Sequence, residues 1–118
     1  MSDKQVVPGQ LILLAEPVVP SLNALGVAKR TEFLADMARV GDVLLAVTGC
    51  LRVNYEILGN TDPALHAHIV PRYANEADDR RTMPIWLYDW TAAETFSEER
   101  HGALRRKIAE ALDAGMTE

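Results

Sequence analysis

Cysteine is almost missing from this chain: Cys50 is the only one among 118 residues. No internal disulfide can form, and a reducing, cytoplasmic setting is the natural expectation. Long apolar runs are missing too. The longest are about five residues, against the roughly 20 that cross a bilayer, so no membrane partner is expected. Met1-Ser2-Asp3-Lys4 leads into Gln5-Val6-Val7-Pro8 without the apolar stretch of a secretion signal. Basic charge is in deficit, 12 Lys and Arg against 17 Asp and Glu, for a net charge of −5. An acidic surface repels phosphodiester backbones, which argues against a nucleic-acid partner. A small phosphorylated ligand is still compatible, because a local site holds it rather than the global field. There is no internal repeat, low-complexity tract or linker-like stretch, so a single domain over residues 1–118 is expected.

What is present is a clear alternation of patterns. The turn Pro8-Gly9 leads into Leu11-Ile12-Leu13-Leu14-Ala15, a short apolar run that reads as a buried strand. Pro17 and Pro20 break regular structure. From Val27 to Val47 the residues Phe33, Met37, Val40, Leu44 and Val47 recur at spacings of three and four, one face of an amphipathic helix, with Gly49 placed as its left-handed stop. Leu51 to Leu58 alternates, with Leu51, Val53, Tyr55 and Ile57 on one face and Arg52, Asn54 and Glu56 on the other. Gly59-Asn60-Thr61-Asp62-Pro63 is dense in turn formers. Ala64 to Val70 reads as a second strand ended by Pro71, and the two strands as an antiparallel hairpin.

Tyr73 to Arg81 reads as an exposed, solvated loop. Ile85 to Trp90 reads as extended, with Trp86, Tyr88 and Trp90 on one face as core or interface. Ser97 followed by Glu98 and Glu99 starts a helix that runs to about Ala114, with Leu104, Ile108 and Leu112 as its buried stripe. His101 falls in that helix and reads as solvated. Helices and strands come in segregated blocks, so the class is α+β with a mainly antiparallel sheet.

His66 and His68 carry the chemical interest. Two positions apart on a strand, they share a face, while Leu65, Ala67 and Ile69 take the other. Imidazole titrates near neutrality and serves as nucleophile, base or metal ligand. On spacing alone three readings stand: two structural histidines, half of a metal site with Glu56 across the hairpin, or a catalytic pair.

The run His66-Ala67-His68-Ile69-Val70-Pro71-Arg72-Tyr73 resembles the end of the histidine-triad (HIT) motif, alternating histidine and apolar residues and continuing into Pro-Arg. Asn54-Tyr55-Glu56-Ile57-Leu58-Gly59-Asn60-Thr61 looks like the strand and turn that precede it. The resemblance covers roughly residues 9–73 and implies the HIT fold: an antiparallel sheet of about five strands, one long central helix and a C-terminal helix. It implies an enzyme acting at the α-phosphorus of a nucleotide conjugate, a phosphoramidate or dinucleoside polyphosphate, with a nucleotidyl-histidine intermediate. His66 matches the nucleophile and His68 the residue that bonds the phosphate oxygen. Asn60, Thr61, Asn54 and Arg72 fall at positions for substrate contacts. The implied chemistry calls for no cofactor or metal, and the implied assembly is a homodimer. One departure is plain. Ala64 stands where the first triad histidine belongs, which points either to a slower enzyme or to a nucleotide-binding protein with little catalysis.

Overall fold

The computed structural model describes residues 1–115; residues 116–118 of the expected domain lie outside the described part. Five strands and two long helices follow one another as β1 (Lys4–Gln5), β2 (Leu11–Leu14), α1 (Val27–Thr48), β3 (Arg52–Glu56), β4 (His66–Arg72), β5 (Glu94–Thr95) and α2 (Glu98–Asp113). They are α+β and antiparallel throughout. The five strands are divided between a three-stranded sheet in the order β2-β4-β3 and a two-stranded ribbon of β1 with β5.

The helix α1 forms where the three-four spacing places it. Phe33, Met37, Val40, Val43 and Leu44 are buried against the sheet, the last two completely. Full burial of each such side chain is worth about 1.5–3 kcal/mol. Gly49 ends the helix at φ 65°, a conformation that glycine adopts without a Cβ penalty. Gly41 is fixed by a neighbour instead: a Cβ there would fall on the hydroxyl of Tyr55, which crosses the helix at this point.

Histidine strand β4 is the central strand. Its Leu65 approach and its Ala67 and Ile69 face α1 and are buried. The connection from β3 is longer than the sequence suggested, since the strands end at Glu56 and resume at His66. Pro71 lies inside the strand rather than beyond it. β2 begins opposite Ile69, so past that point β4 has a neighbour on one side only, where proline is tolerated.

Ser97 caps α2 by accepting a bond from the Arg100 amide at 3.2 Å, and Glu98 and Glu99 occupy its first turn. Of the expected stripe, Ile108 is buried and Leu104 and Leu112 pack partly buried against the core. His101 corrects the reading of a solvated residue. It is 5% exposed, its Nδ1 accepts the Ser97 amide at 3.0 Å and its Nε2 faces Glu94 at 3.1 Å. It closes the helix start onto β5, away from the histidine strand. No described helix is long and apolar enough to cross a membrane.

Candidate functional site

The sheet has two faces with different fates. One packs on α1. The other carries Ile12 and Leu14 from β2, Asn54 and Glu56 from β3, and His66, His68, Val70 and Arg72 from β4. Half of that second face is covered. Val7, Val70 and Ile85 form a small core there with Val6, Tyr73, Tyr88 and Trp90 around it. The cover stops at His68, leaving His66 half-buried at the open end beside the exposed Leu14.

His66 is held by its own strand. Its Nδ1 lies 2.6 Å from the carbonyl of Ala64, a separation that makes Nδ1–H the donor and leaves Nε2 with its lone pair. That is the tautomer a nucleophile needs. A cleft of about 340 Å³ opens beside it, walled by Ser21, Leu22, Ile57, Leu58 and Pro63 among others. His68 stands 5.0 Å from His66 by ring centroids, edge to face. Burial first, and the neighbouring His66 second, hold the His68 pKa below its ordinary 6.5. Its Nδ1 is buried with no hydrogen-bond partner among the described residues.

This shift has a measurable sign. A histidine whose pKa is lower folded than unfolded takes up a proton more readily when unfolded. His68 therefore lowers stability as pH falls below 6.5 and stops doing so once pH is below its folded value. Denaturant midpoints measured between pH 7.5 and 5 should decline more steeply in the wild type than in His68→Gln. Parallel curves would show that His68 titrates as it does in water.

Trp86 leans edge-on against His68 at 4.8 Å and stacks on Trp90 at 4.8 Å, 9° from parallel. The expected aromatic strand is absent. Residues Ile85–Leu87 and Trp90–Ala92 are short 3-10 turns, started by Pro84 and by Asp89, whose side chain accepts the Thr91 amide. The two tryptophans are brought together by the turns, while Tyr88 points the other way, to Arg72.

Arg72 is corrected most sharply. The sequence offered it to a substrate, but its guanidinium is 6% exposed and fully engaged. Nε and Nη2 donate to Glu76 at 3.0–3.3 Å, Nη1 to Asn54 Oδ1 at 2.9 Å and to the Met83 carbonyl at 2.5 Å, and Nη2 also to Tyr88 at 2.9 Å. Burial alone would lift the Glu76 pKa. The bonds from Arg72, Tyr88 and the Tyr73 amide outweigh it and hold the carboxyl below 4.5. Glu76 thus leaves the solvated loop in which the sequence placed it. Asn54 is likewise turned to Arg72 rather than to a ligand.

Asn60 and Thr61 are exposed in the β3–β4 connection, whose Gly59 and Pro63 line the cleft by His66. So His66 and His68 are brought together, Asn60 and Thr61 stay near the cleft entrance, and Asn54 with Arg72 forms a brace further along the strand. Among the described residues no group of three or more His, Cys, Asp or Glu converges as a metal cluster. Two participants escaped the sequence. Trp86 had only its alternation with Tyr88 and Trp90 to mark it, and that pointed to a strand. The cleft wall at Ser21 and Leu22 follows two prolines and carries no periodic signal.

Solved histidine-triad proteins share this architecture. A histidine triad (HIT) protein from Sinorhizobium meliloti 1021 superposes with a TM-score of 0.73 at 26% identity, over 86% of this chain and 73% of its own. One from Bradyrhizobium japonicum gives 0.64 at 26% identity, over 84% and 75%. A histidine triad protein from Marinobacter aquaeolei VT8 gives 0.80 over 95% and 79%, and at 19% identity its likeness concerns fold alone. No protein-family model and no curated protein matches the sequence. The chain has the HIT-like fold.

Proposed function

We propose that the protein is a nucleotide-phosphate hydrolase or transferase in which His66 is the nucleophile. The observation that carries this reading is the 2.6 Å bond from His66 to the Ala64 carbonyl, which frees Nε2 beside the cleft. The Nε2 lone pair attacks the α-phosphorus and the bond to the leaving group breaks. The leaving group departs with that electron pair and takes its proton from solvent. Water then cleaves the phosphorus–nitrogen bond and restores His66, so one hard displacement becomes two easier ones. His68, biased to its neutral form, donates from Nε2 to a phosphate oxygen as charge develops there. Asn60 and Thr61 reach the phosphate or leaving group from the turn. The test is nucleotide release from an adenosine phosphoramidate and a dinucleoside polyphosphate, run on wild type beside His66→Ala. Equal release by both overturns the proposal.

Ala64 favours a second reading, a nucleotide-binding protein of the same fold with little turnover. General acid–base assistance is worth about 10²–10⁴-fold. Restoring a histidine with Ala64→His is expected to raise kcat at least ten-fold with KM little changed. An unchanged kcat in a variant that still binds nucleotide would mean that Ala64 does not limit the rate.

We further propose a cytoplasmic homodimer. Tyr55 and Leu51 are exposed beside the unpaired outer edge of β3, and Leu34 and Leu45 are exposed on α1, an apolar surface suited to a second copy. Sedimentation should report twice the 13.0 kDa chain. A 13.0 kDa species at micromolar concentration would exclude the pairing.

A further inference from the structure

We propose that Glu56 sets the leaving-group specificity of this site: it turns away leaving groups that carry phosphate and favours uncharged or cationic organic ones. The proposal rests on the reading of His66 as a nucleophile at a nucleotide α-phosphorus.

Placement comes first. Glu56 is the cross-strand partner of His68, so the two share the histidine face with Cα atoms about 5 Å apart. Glu56 is half-buried and lines a hollow of about 480 Å³ with Thr82, Met83 and Pro84, the segment that delivers Trp86. Its carboxylate takes part in no hydrogen bond or ion pair with the described residues. An ammonium or amide N–H on a departing group would find an acceptor there.

The second observation is where the cations are. A terminal phosphate brings a charge of about −1.5 to −2, and sites that hold one present Arg, Lys or a helix N-terminus. Here the one arginine on the histidine strand is consumed: Arg72 is locked to Glu76, Asn54 and Tyr88. The wall of the cleft beside His66 contains no lysine or arginine. Arg52 lines the same hollow as Glu56, with its Cα four residues along the strand, about 13 Å away. His68 is kept toward its neutral form by burial. The fixed charge across the strand from His68 is therefore a carboxylate, in a hollow whose lining ends at Glu56, one residue short of the Ile57 that walls the cleft beside His66. A unit charge at such a range, partly screened by solvent, biases affinity by roughly three- to ten-fold for each ligand charge.

The experiment compares binding of two probes that share a nucleoside. One is the 2-aminoethyl phosphodiester of AMP, whose poor leaving group keeps it intact during titration. The other is ADP. Calorimetric Kd values are taken for wild type, Glu56→Gln and Glu56→Lys at low and physiological salt. Wild type is expected to prefer the aminoethyl ester. The leaving portions differ by about 2.5–3 charges, so Glu56→Gln should shrink that preference at least ten-fold and Glu56→Lys reverse it, with the differences narrowing as salt rises. If Glu56→Lys does not fold, the comparison of wild type with Glu56→Gln decides. The same ratio of affinities in every folded variant overturns the role of Glu56 and leaves the nucleotide site standing. Failure of both probes to bind any variant overturns the nucleotide reading itself, and this proposal with it.

Discussion

Replacing Arg72 by alanine is expected to remove about 3–5 kcal/mol of folding stability, the usual cost of leaving half of a buried ion pair behind. The stranded group is Glu76, whose side chain is 8% exposed and which would keep only Tyr88 and the Tyr73 amide as partners. The carbonyls of Met83 and Arg80 would lose a donor at the same time. Arg72→Lys is not a conservative rescue, because an ammonium has three donors and no planar fork to meet Glu76, Asn54, Met83 and Tyr88 together. The same pair predicts an acid limb. Glu76 titrates below 4.5 in the fold, so its contribution is complete above that pH and is lost as pH falls through the folded value. Urea midpoints at pH 7 and pH 3 on wild type and Arg72→Ala measure both effects. A loss under 1 kcal/mol at pH 7 would mean that water replaces Arg72 freely and that the brace is not structural.

The second large effect is on turnover. His66→Gly is expected to lower the rate at least a thousand-fold, and added imidazole to restore part of it. On the proposed mechanism no neighbour takes over the attack. His68 lies two positions along a rigid strand, with Trp86 against its ring and Nδ1 buried. On the proposed mechanism it faces the phosphate as a donor and does not reach the in-line position behind the same phosphorus. A glycine at position 66 leaves a ring-sized gap that opens on the 340 Å³ cleft, so a free imidazole can enter and attack in place of the side chain. Rescue that rises with the imidazole free-base concentration separates a lost nucleophile from a damaged fold. A rate in His66→Gly within ten-fold of wild type would place the chemistry on another residue.

What could be seen in the sequence was local and periodic. The stripe from Phe33 to Val47, the Gly49 stop, the Ser97 cap and the alternation around His66 each need only a window of a dozen residues, and each has its place in the structure. The brace could not be seen that way. Arg72 draws on Glu76 four positions away, Tyr88 at sixteen and Asn54 at eighteen, and no period links those numbers. An arginine after a strand therefore looked free to meet a ligand. His101 misled for a related reason: its spacing from the helix stripe says nothing of the bare Ser97 amide that its ring covers. The aromatic run failed through turn chemistry, because Asp89 offers its side chain to Thr91 and bends the chain that alternation would have kept straight.

The ribbon of β1 with β5 pairs Lys4 with Thr95 and so joins segments about ninety positions apart. Contacts of that separation carry a large loop-closure cost and come late in folding. On the ribosome, the stretch from Leu11 to Arg72 that builds the three-stranded sheet emerges well before Glu94 and Thr95. The nascent chain would then present the histidine pair on an uncovered sheet until the segment of Ile85, Trp86 and Trp90 follows, and the ribbon closes later still. The covered surround of His68 is in this sense acquired well after the sheet that carries it, and of the described elements only β5 and α2 come later along the chain.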